Sequence, residues 1–452
     1  MPIRDVKPQI NLITLLSAIF YLMSVYSPVS AQIKENERLL FDTSDHGDPG
    51  TSGPVVKAWK HITLDTWYGG LWVVTGDVDG DGAVDIVSAK NFNEDDVHHT
   101  SSVVAQRLDG SVIWRWGDPS VGRREWHHDV ACQIYDWNND GKNEVILCTK
   151  GYLVHIDGAT GKEIRRLPIE EDATDCLVFC NLSGALHAGD VLVKNRYKQI
   201  WAYTYAGTLI WTVSMPGGYR TSHQPVLYDI DGDGTDEILA GYAMLNADGS
   251  VRWTLSSDAV DLNKGHLDCC RLLKKGDRPE DYRFVMTYCG ANCIACVDGN
   301  GSTVWKIPGY HFESLNVGNV FPDSKESNIL VDIDHVPEGD SPVWVFDENG
   351  FKMGQLVSDY CRHHKLLDWT GDGFDEIILA NARGVFDSSG KRIATFDCDG
   401  SGVAMQLGDM TGDGRTDVAI TTESSVYIFA NTKGIPKSKP VKLGCGVNFT
   451  FY

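Results

Sequence analysis

Histidines occur in pairs or beside other polar residues at four points of the sequence. The four segments are VHHTS, EWHHD, YRTSHQP and CRHHK, and seven of the fourteen histidines lie in them. A histidine can take or give a proton near neutral pH, so such groups suit general acid–base catalysis. A single histidine is more often structural, but the grouping favours a shared role. The candidates are His98, His99, His127, His128, His223, His363 and His364.

Cationic and aromatic residues cluster in two further segments, VKNRYKQIWAY and PGGYRTSHQP. Arg196 or Arg220 can hold a carboxylate through two parallel hydrogen bonds, whereas Lys194 would act as a point charge. The alternative for each arginine is stacking on a neighbouring aromatic ring. These segments predict contacts with an anionic ligand. The substrate-binding candidates are Lys194, Arg196, Tyr197, Trp126 and Tyr242.

Five loops follow the pattern D-x-[DNT]-x-D-G-x-x-[DE]. Three alternating oxygens and a distal carboxylate suit calcium, which takes six to eight oxygen ligands. The alternative is a turn closed by its own aspartates without an ion. The three fullest loops predict structural calcium, while Thr370 and Thr411 weaken the other two. The predicted ligand sets are Asp77, Asp79, Asp81 and Asp85; Asp136, Asn138, Asp140 and Glu144; and Asp229, Asp231, Asp233 and Glu237.

Nitrogen and sulfur donors form a further candidate group. His266, Cys289, His363 and His364 could together supply a zinc site, since imidazole and thiolate are the usual zinc ligands. Their spacing is not diagnostic of zinc. Buried cysteine and sugar-contacting histidine are the alternatives.

The elements that would position these residues come from an internal repeat. The acidic loops begin at Asp77, Asp136, Asp229, Asp368 and Asp409, and their separations fit multiples of roughly 46 residues. Three repeats near Asn181, Lys274 and Phe321 have lost their acids. Hairpins such as LDGSVIW and ADGSVRW close most units, which gives four short strands per unit. The sequence therefore predicts an all-β, eight-bladed propeller, with seven blades as the alternative. The strand that closes the ring is expected from VVKAWKHITL.

A propeller sorts these residues onto two faces. The loops between the first and second strands of each blade lie on one face, here called the lower face, and carry the Asp-rich loops. The loops between the second and third strands of each blade, and the loops that join one blade to the next, lie on the upper face. They carry the histidine segments with Trp126, and also Lys194, Arg196, Tyr197, Tyr219, Arg220, Tyr242, His266, Tyr288, Cys289 and His311.

The amino terminus and the charge indicate the compartment and the partners. Arg4 and Lys7 precede an apolar run and the small residues Val29-Ser30-Ala31, so residues 1–31 are predicted to be a signal peptide and residues 32–452 a propeller catalytic domain. We expect a secreted or periplasmic protein, monomeric and without a membrane span. The formal charge of −22 argues against a nucleic-acid partner. The twelve cysteines are expected to be mostly buried apolar residues.

The chain resembles the propeller polysaccharide lyases that cleave polymers of rhamnose and uronic acid, namely ulvan lyases and, more distantly, rhamnogalacturonan lyases. The resemblance rests on DVDGDGAVDIV, RLDGSVIWRW, WHHDVACQIYDWNNDG, RYKQIWAY and GGYRTSHQPVLYDIDGDGTDEI. It implies β-elimination on an anionic rhamnose–uronic acid polysaccharide, with ulvan as the expected substrate. It also implies calcium in the loops, and zinc in some members. Matching motifs imply catalytic roles for His127 or His128, His99, Arg220 with His223, and Tyr203, with Tyr197 close enough to compete.

Two other functions fit the same sequence. A non-catalytic carbohydrate-binding or adhesion propeller would carry similar Asp-rich loops. A propeller glycosidase is the other alternative, but it would normally need two carboxylates across its cleft. Asp95, Asp96, Glu125 and Asp129 make no obvious pair of that kind.

Overall fold

The computed structural model describes residues 33, 35–43, 53–94, 97–124, 130–256, 261–324, 326–334, 341–358, 362–400, 404–437 and 442–452. Within these ranges the chain forms eight β-sheets in sequence order. The predicted all-β propeller with eight blades is confirmed, and the alternative of seven blades is wrong. The 3-10 helices are single turns, at Pro216–Gly218, Leu262–Lys264 and Pro279–Asp281.

The strands of the first half follow the repeat. Three strands precede the first complete blade: β1 (Glu37–Asp42), β2 (Val55–Lys57) and β3 (Lys60–Thr63). Blade 1 contains β4 (Trp72–Gly76), β5 (Asp85–Glu94), β6 (Val97–Arg107) and β7 (Val112–Gly117). Blade 2 contains β8 (Cys132–Tyr135), β9 (Glu144–Thr149), β10 (Tyr152–Asp157) and β11 (Glu163–Pro168). Blade 3 contains β12 (Cys176–Cys180), β13 (Asp190–Lys194), β14 (Gln199–Tyr203) and β15 (Leu209–Ser214). Blade 4 contains β16 (Thr221–Tyr228), β17 (Glu237–Gly241), β18 (Ala243–Leu245) and β19 (Val251–Thr254).

The second half continues in the same way. Blade 5 contains β20 (His266–Lys274), β21 (Arg283–Cys289), β22 (Cys293–Val297) and β23 (Thr303–Pro308). Blade 6 contains β24 (His311–Gly318), β25 (Asn328–Asp334), β26 (Val343–Phe346) and β27 (Lys352–Leu356). Blade 7 contains β28 (His364–Leu367), β29 (Glu376–Leu379), β30 (Gly384–Phe386) and β31 (Arg392–Asp397). Blade 8 contains β32 (Ala404–Gly408), β33 (Asp417–Thr421) and β34 (Ser425–Phe429).

The position of a strand within its blade explains its hydrophobic pattern. Inner strands such as β12 (CLVFC) and β33 (DVAIT) are buried at every position, because each blade packs against neighbours on both faces. The outermost strand β11 (EIRRLP) alternates between exposed and half-buried residues, as expected for a strand with one solvated face. The first strands of successive blades contact one another from β4 to β32, so the core runs around the ring.

The ring closes through a strand from the amino-terminal part of the chain. β3 pairs antiparallel with β34 and supplies the outer strand of blade 8, as predicted from VVKAWKHITL. The Gln406 side-chain amide on β32 also donates to the Val73 carbonyl on β4, which joins blade 8 to blade 1. The fifth strands of blades 6 and 7 were not predicted. They are β1 and β2, which add in parallel to β27 and β31.

The Asp-rich loops connect the first and second strands of blades 1, 2, 4, 7 and 8, so they share the lower face. In each, the acid that begins the second strand accepts backbone N–H groups at the second and often the third loop position. Asp85 accepts from Val78, and Glu144 accepts from Trp137. In blade 6, which lacks the acidic pattern, Asn328 accepts from Val320 in the same way. In blade 6 this shared hydrogen bond therefore persists although the acidic pattern is lost.

The described cysteines behave as the composition predicts. None of the eleven forms a disulfide, and all are buried except Cys289 and Cys445, which are half-buried. In the described ranges no helix has the length and apolar character needed to cross a bilayer. The predicted signal peptide lies outside the described residues and stays a prediction.

Candidate functional site

A cationic cleft opens on the upper face between blades 1, 3 and 4. It has a volume of about 440 Å³ and is lined by the β13–β14 loop, the β15–β16 loop, Val97 of β6 and one acid, Asp172 of the β11–β12 loop. Arg196, Lys198 and Arg220 line it together, and Tyr197 lies among them. The Arg196 and Arg220 guanidinium carbons lie 5.0 and 5.9 Å from the centre of the Tyr197 ring. Two predicted arginines and a predicted tyrosine therefore share one cleft that suits a carboxylate.

Tyr197 connects this cleft to two buried histidines. Its hydroxyl lies 3.4 Å from His223 Nε2, and its ring centre lies 4.2 Å from that of His266. His223 and His266 stand edge to face, 4.7 Å apart. Burial, followed by the nearby His223 and Lys194, lowers the pKa of His266 to about 2, so His266 is neutral at physiological pH. The phenol and the His223 imidazole thus form a donor–acceptor pair beneath the arginines.

Buried acids lie behind the histidines, and the sequence analysis did not identify them. Asp268 Oδ1 lies 2.9 Å from His266 Nε2 and 3.5 Å from His223 Nε2. Glu313 Oε1 lies 2.9 Å from His311 Nε2. The available signal was the pattern His-x-acid in HLD and HFE, because alternate residues of a strand point to the same face. These acids place the histidines in a polar layer just inside the upper face.

A second buried network anchors Arg196. The Asp175 carboxylate binds Lys194 Nζ at 2.9 Å and His98 Nδ1 at 2.7 Å, and Arg196 Nη1 lies 3.0 Å from His98 Nδ1. Lys194 is 1% exposed, so its charge neutralises Asp175 behind the cleft and does not line it. The Thr174 hydroxyl donates to the His98 carbonyl, which ties blade 1 to blade 3. The network therefore holds the arginine side of the cleft in place.

His99 lines a neighbouring cleft. That cleft has a volume of about 620 Å³ and shares Val97 and Asp172 with the cationic cleft. The His99 ring stacks on Phe92 with centres 4.7 Å apart, and burial lowers its pKa to about 4, with Lys150 contributing. His99 is therefore a neutral imidazole close to the cationic cleft but not one of its lining residues.

Two predicted tyrosines lie in the core. Tyr203 ends β14 and packs with Tyr135, Phe179 and Trp201, and burial raises its pKa. Tyr242 is fully buried and donates its hydroxyl to the His266 carbonyl at 2.7 Å, so it supports that histidine. Neither lines the cationic cleft. Trp126, His127 and His128 lie outside the described residues, and their predicted roles stay predictions.

The zinc candidates separate into different surroundings. Cys289 Sγ lies 3.5 Å from His311 Nε2, and potential ligand atoms of Asp268, Cys289, His311 and Glu313 all lie within 4.8 Å of one another. His266 adjoins this group through Asp268. His364 instead lies 3.4 Å from Asp332, and His363 packs against Phe451, so the structure does not bring the four predicted residues together.

The geometry around Asp268 matches what a metal ligand requires. Asp268 and His266 are buried, and although Oδ1 of Asp268 lies 2.9 Å from Nε2 of His266, the two side chains do not meet with hydrogen-bond geometry. Buried polar atoms without partners are costly unless an ion or water satisfies them. The donor set of sulfur, imidazole nitrogen and carboxylate oxygen fits zinc.

The three fullest Asp-rich loops each bring three acids together. Ligand oxygens lie within 4.8 Å of one another in the sets Asp77, Asp79 and Asp85; Asp136, Asp140 and Glu144; and Asp229, Asp231 and Glu237. Asp81 and Asp233 lie outside these groups and accept backbone N–H groups of Ala83 and Thr235.

Arginines neutralise the loops that have an aspartate at the third position. Arg107 bonds to Asp79, and Arg252 Nη1 lies 2.8 Å from Asp231 and 3.2 Å from Glu237. Blade 2 has Asn138 at the same position, and its side-chain amide donates to Glu144 at 2.9 Å. No arginine of the described residues forms an ion pair with the three acids of blade 2, although His155 Nε2 lies 3.1 Å from Glu144.

No family model matches the chain. In sequence it is 25% identical over 443 residues to the rhamnogalacturonan endolyase YesW of Bacillus subtilis (strain 168), covering 80% of this chain and 67% of that protein. The structure resembles a rhamnogalacturonan lyase of Bacillus licheniformis with a TM-score of 0.59 at 19% identity, over 83% of this chain and 76% of that chain. It also resembles the biofilm matrix protein Bap1 of V. cholerae with a TM-score of 0.56 at 12% identity, over 86% of this chain and 93% of that chain.

These comparisons differ in what they establish. The structural similarities show the propeller fold alone, since a lyase and a matrix protein share it at such low identity. The sequence similarity to the endolyase extends over most of the chain and supports a polysaccharide lyase. None of the three proteins is an ulvan lyase, so they do not test the ulvan prediction.

Proposed function

We propose that the protein is a polysaccharide lyase that cleaves a rhamnose–uronic acid polymer by β-elimination in the cationic cleft. The observation that carries the proposal is the placement of Arg196 and Arg220 within 6 Å of the ring of one phenol, Tyr197, that contacts a buried histidine. Ulvan and pectic rhamnogalacturonan both contain rhamnose and uronate. The resemblance of the motifs favours ulvan, and the similarity to the endolyase supports testing rhamnogalacturonan.

The reaction needs three things from the site. The C5–H bond next to the uronate carboxylate breaks, a C4–C5 double bond forms, and the C4–O bond to the leaving sugar breaks while that oxygen receives a proton. Offsetting the carboxylate charge makes the C5 proton removable, and the two guanidinium groups are placed to do so. Tyr197 and His223 lie 3.4 Å apart and can exchange a proton, so the pair can accept the C5 proton and supply a proton to the leaving oxygen.

Incubating the protein with ulvan and, separately, with pectic rhamnogalacturonan tests the proposal. We expect ultraviolet absorbance to rise with one of them, because the elimination conjugates the new double bond with the carboxylate. New reducing ends without absorbance would identify a glycosidase. Retained binding without cleavage of either polymer would identify a carbohydrate-binding or adhesion propeller. Either result would rule out the lyase.

We also propose calcium in the lower-face loops, in a structural role. An ion that binds only the folded state at about 100 times its Kd stabilises it by about 2.7 kcal/mol. We therefore expect chelation to lower the melting temperature by about 3 to 5 °C while activity at moderate temperature persists. Differential scanning calorimetry with and without chelator, run beside an activity assay, measures both. Activity that vanishes at once while the fold stays intact would mean that the ion acts in the reaction.

A pair of variants assigns the calcium effect to a loop. Asp136→Ala removes a ligand from the blade 2 loop and should abolish much of the calcium-dependent stabilisation. Asp109→Ala is the matched control, because Asp109 lies in a hairpin turn and accepts local hydrogen bonds from the backbone and side chain of Ser111. Equal calcium responses in the two variants would exclude the blade 2 site.

We propose zinc for the group formed by Asp268, Cys289, His311 and Glu313. When bound, the ion would hold four side chains of blades 5 and 6 together beneath the histidines; no step of the elimination is assigned to it. Elemental analysis of the purified protein should find one zinc per chain that Cys289→Ser loses. A zinc content unchanged by that substitution would contradict the assignment.

A further inference from the structure

Segment Lys442–Tyr452, here called the axial segment, bonds to the innermost strands of successive blades. The Cys445 N–H donates to the Thr75 hydroxyl on β4, and Gln133 on β8 bonds to the Phe449 backbone through both of its amide atoms. Asn448 exchanges two hydrogen bonds with the Phe179 backbone on β12, and its carbonyl accepts from the Gln224 amide on β16. Because innermost strands surround the propeller axis, the segment runs along the axis and connects blades 1 to 4 through these bonds.

The segment runs from the lower face to the upper layer of histidines. Its lower end lies beside the Asp-rich loop of blade 8, where Gly444 N–H donates to the Asp409 carbonyl at 2.9 Å. Its upper end is fixed by Arg271 on β20, whose guanidinium donates to the Tyr452 carbonyl. The Tyr452 side chain is only 4% exposed. The axial segment therefore places the buried phenol of Tyr452 beside the upper layer of histidines.

Tyr452 meets the same histidine that Tyr197 meets. The Tyr452 and His223 rings stack with centres 4.5 Å apart and an interplanar angle of 24°. The Tyr452 hydroxyl lies 3.2 Å from His223 Nε2, the atom that Tyr197 approaches to 3.4 Å. A histidine ring turns about two torsions, and a stacked neighbour with a hydrogen bond limits both.

We infer that Tyr452 is a positioning residue for the proposed reaction and holds the His223 imidazole in contact with Tyr197. The inference rests on the proposed function. It assigns a role to the axial segment that neither the histidine motifs nor the lyase resemblance indicates. Displacing a reacting group by about 1 Å can cost about 100-fold in rate, so the support of His223 matters to turnover even though Tyr452 does not line the cleft.

Three variants test this role. Tyr452→Phe keeps the ring and removes the hydroxyl, and we expect kcat to fall about 10-fold with KM within twofold, because the carboxylate-binding arginines are untouched. Tyr452→Ala removes the stack as well, and we expect a fall of about 100-fold. Phe451→Leu is the control. Phe451 packs on Trp72 and His363, so its loss should lower the melting temperature and leave kcat unchanged.

A second measurement reports on His223 without substrate. The histidine Hε1 resonance that disappears in His223→Ala should shift in Tyr452→Phe and not in Phe451→Leu. A wild-type protein that releases no unsaturated uronate would refute the proposed function and with it this role. If the wild type is active, two results would overturn the positioning role alone. One is a Tyr452→Phe variant with full kcat, and the other is a Tyr452→Phe variant that loses no more kcat than Phe451→Leu does.

Discussion

Replacing Tyr197 with phenylalanine is expected to lower kcat by about 100- to 10,000-fold, the range associated with a proton-transfer group. The substitution removes only the hydroxyl that lies 3.4 Å from His223 Nε2. The ring remains close to Arg196, Arg220 and His266, so KM and the melting temperature should change little. Initial rates from the absorbance of unsaturated uronate, together with a melting curve, measure both quantities.

Tyr203→Phe is the matched control for this experiment. The lyase motifs imply Tyr203 as the catalytic tyrosine, but its side chain is 8% exposed and packs in the core with Phe179 and Trp201. We expect Tyr203→Phe to keep kcat within about twofold of wild type. If Tyr203→Phe lost turnover and Tyr197→Phe kept it, the cationic cleft would not be the active site. The reacting centre would then be sought at His99 or among His127 and His128.

The sequence was sufficient for the fold because the fold is periodic. The Asp-rich loops and the hairpins recur in the repeat, and their order alone determines which loops share a face. The blades that had lost their acids were still counted correctly, because the spacing of the remaining loops and the hairpins mark their positions. The strands β1 and β2 were missed as blade members, because a fifth parallel strand at a blade edge has no counterpart in the repeat.

The site could be predicted only in part, because it depends on contacts between distant positions. The type of loop that carries Arg196, Tyr197 and Arg220 predicted that they lie on the upper face, and the structure places them in one cleft there. Burial could not be deduced in the same way. Lys194 fits the motif of a surface cation, yet it is buried and pairs with Asp175, which lies 19 positions earlier and directly precedes the adjacent strand β12. The contact between Tyr452 and His223 spans 229 positions and follows no repeat.

Arg220→Ala is expected to reduce kcat/KM by about 100- to 1,000-fold, the loss seen when one preorganised donor to a developing charge is removed. Arg220 is exposed on the β15–β16 loop and lines the cleft, and no carboxylate of the described residues lies within ion-pair distance of it. Its charge is therefore available to a ligand. Both kcat and KM should change, because a guanidinium binds the uronate in the ground state and also stabilises the extra charge that develops as C5 loses its proton.

Arg220→Lys separates the charge from the geometry. Lysine keeps a positive charge but cannot form two parallel hydrogen bonds with a carboxylate, so we expect it to recover substrate binding more fully than kcat. Arg196→Ala provides the contrast, since Arg196 also contacts His98 in the buried network and its loss should lower the melting temperature as well. A neutral substrate analogue, with its uronate esterified, should bind wild type and Arg220→Ala equally. If Arg220→Ala instead weakened both forms of the substrate to the same degree, the arginine would act by packing and the carboxylate would have to be recognised elsewhere.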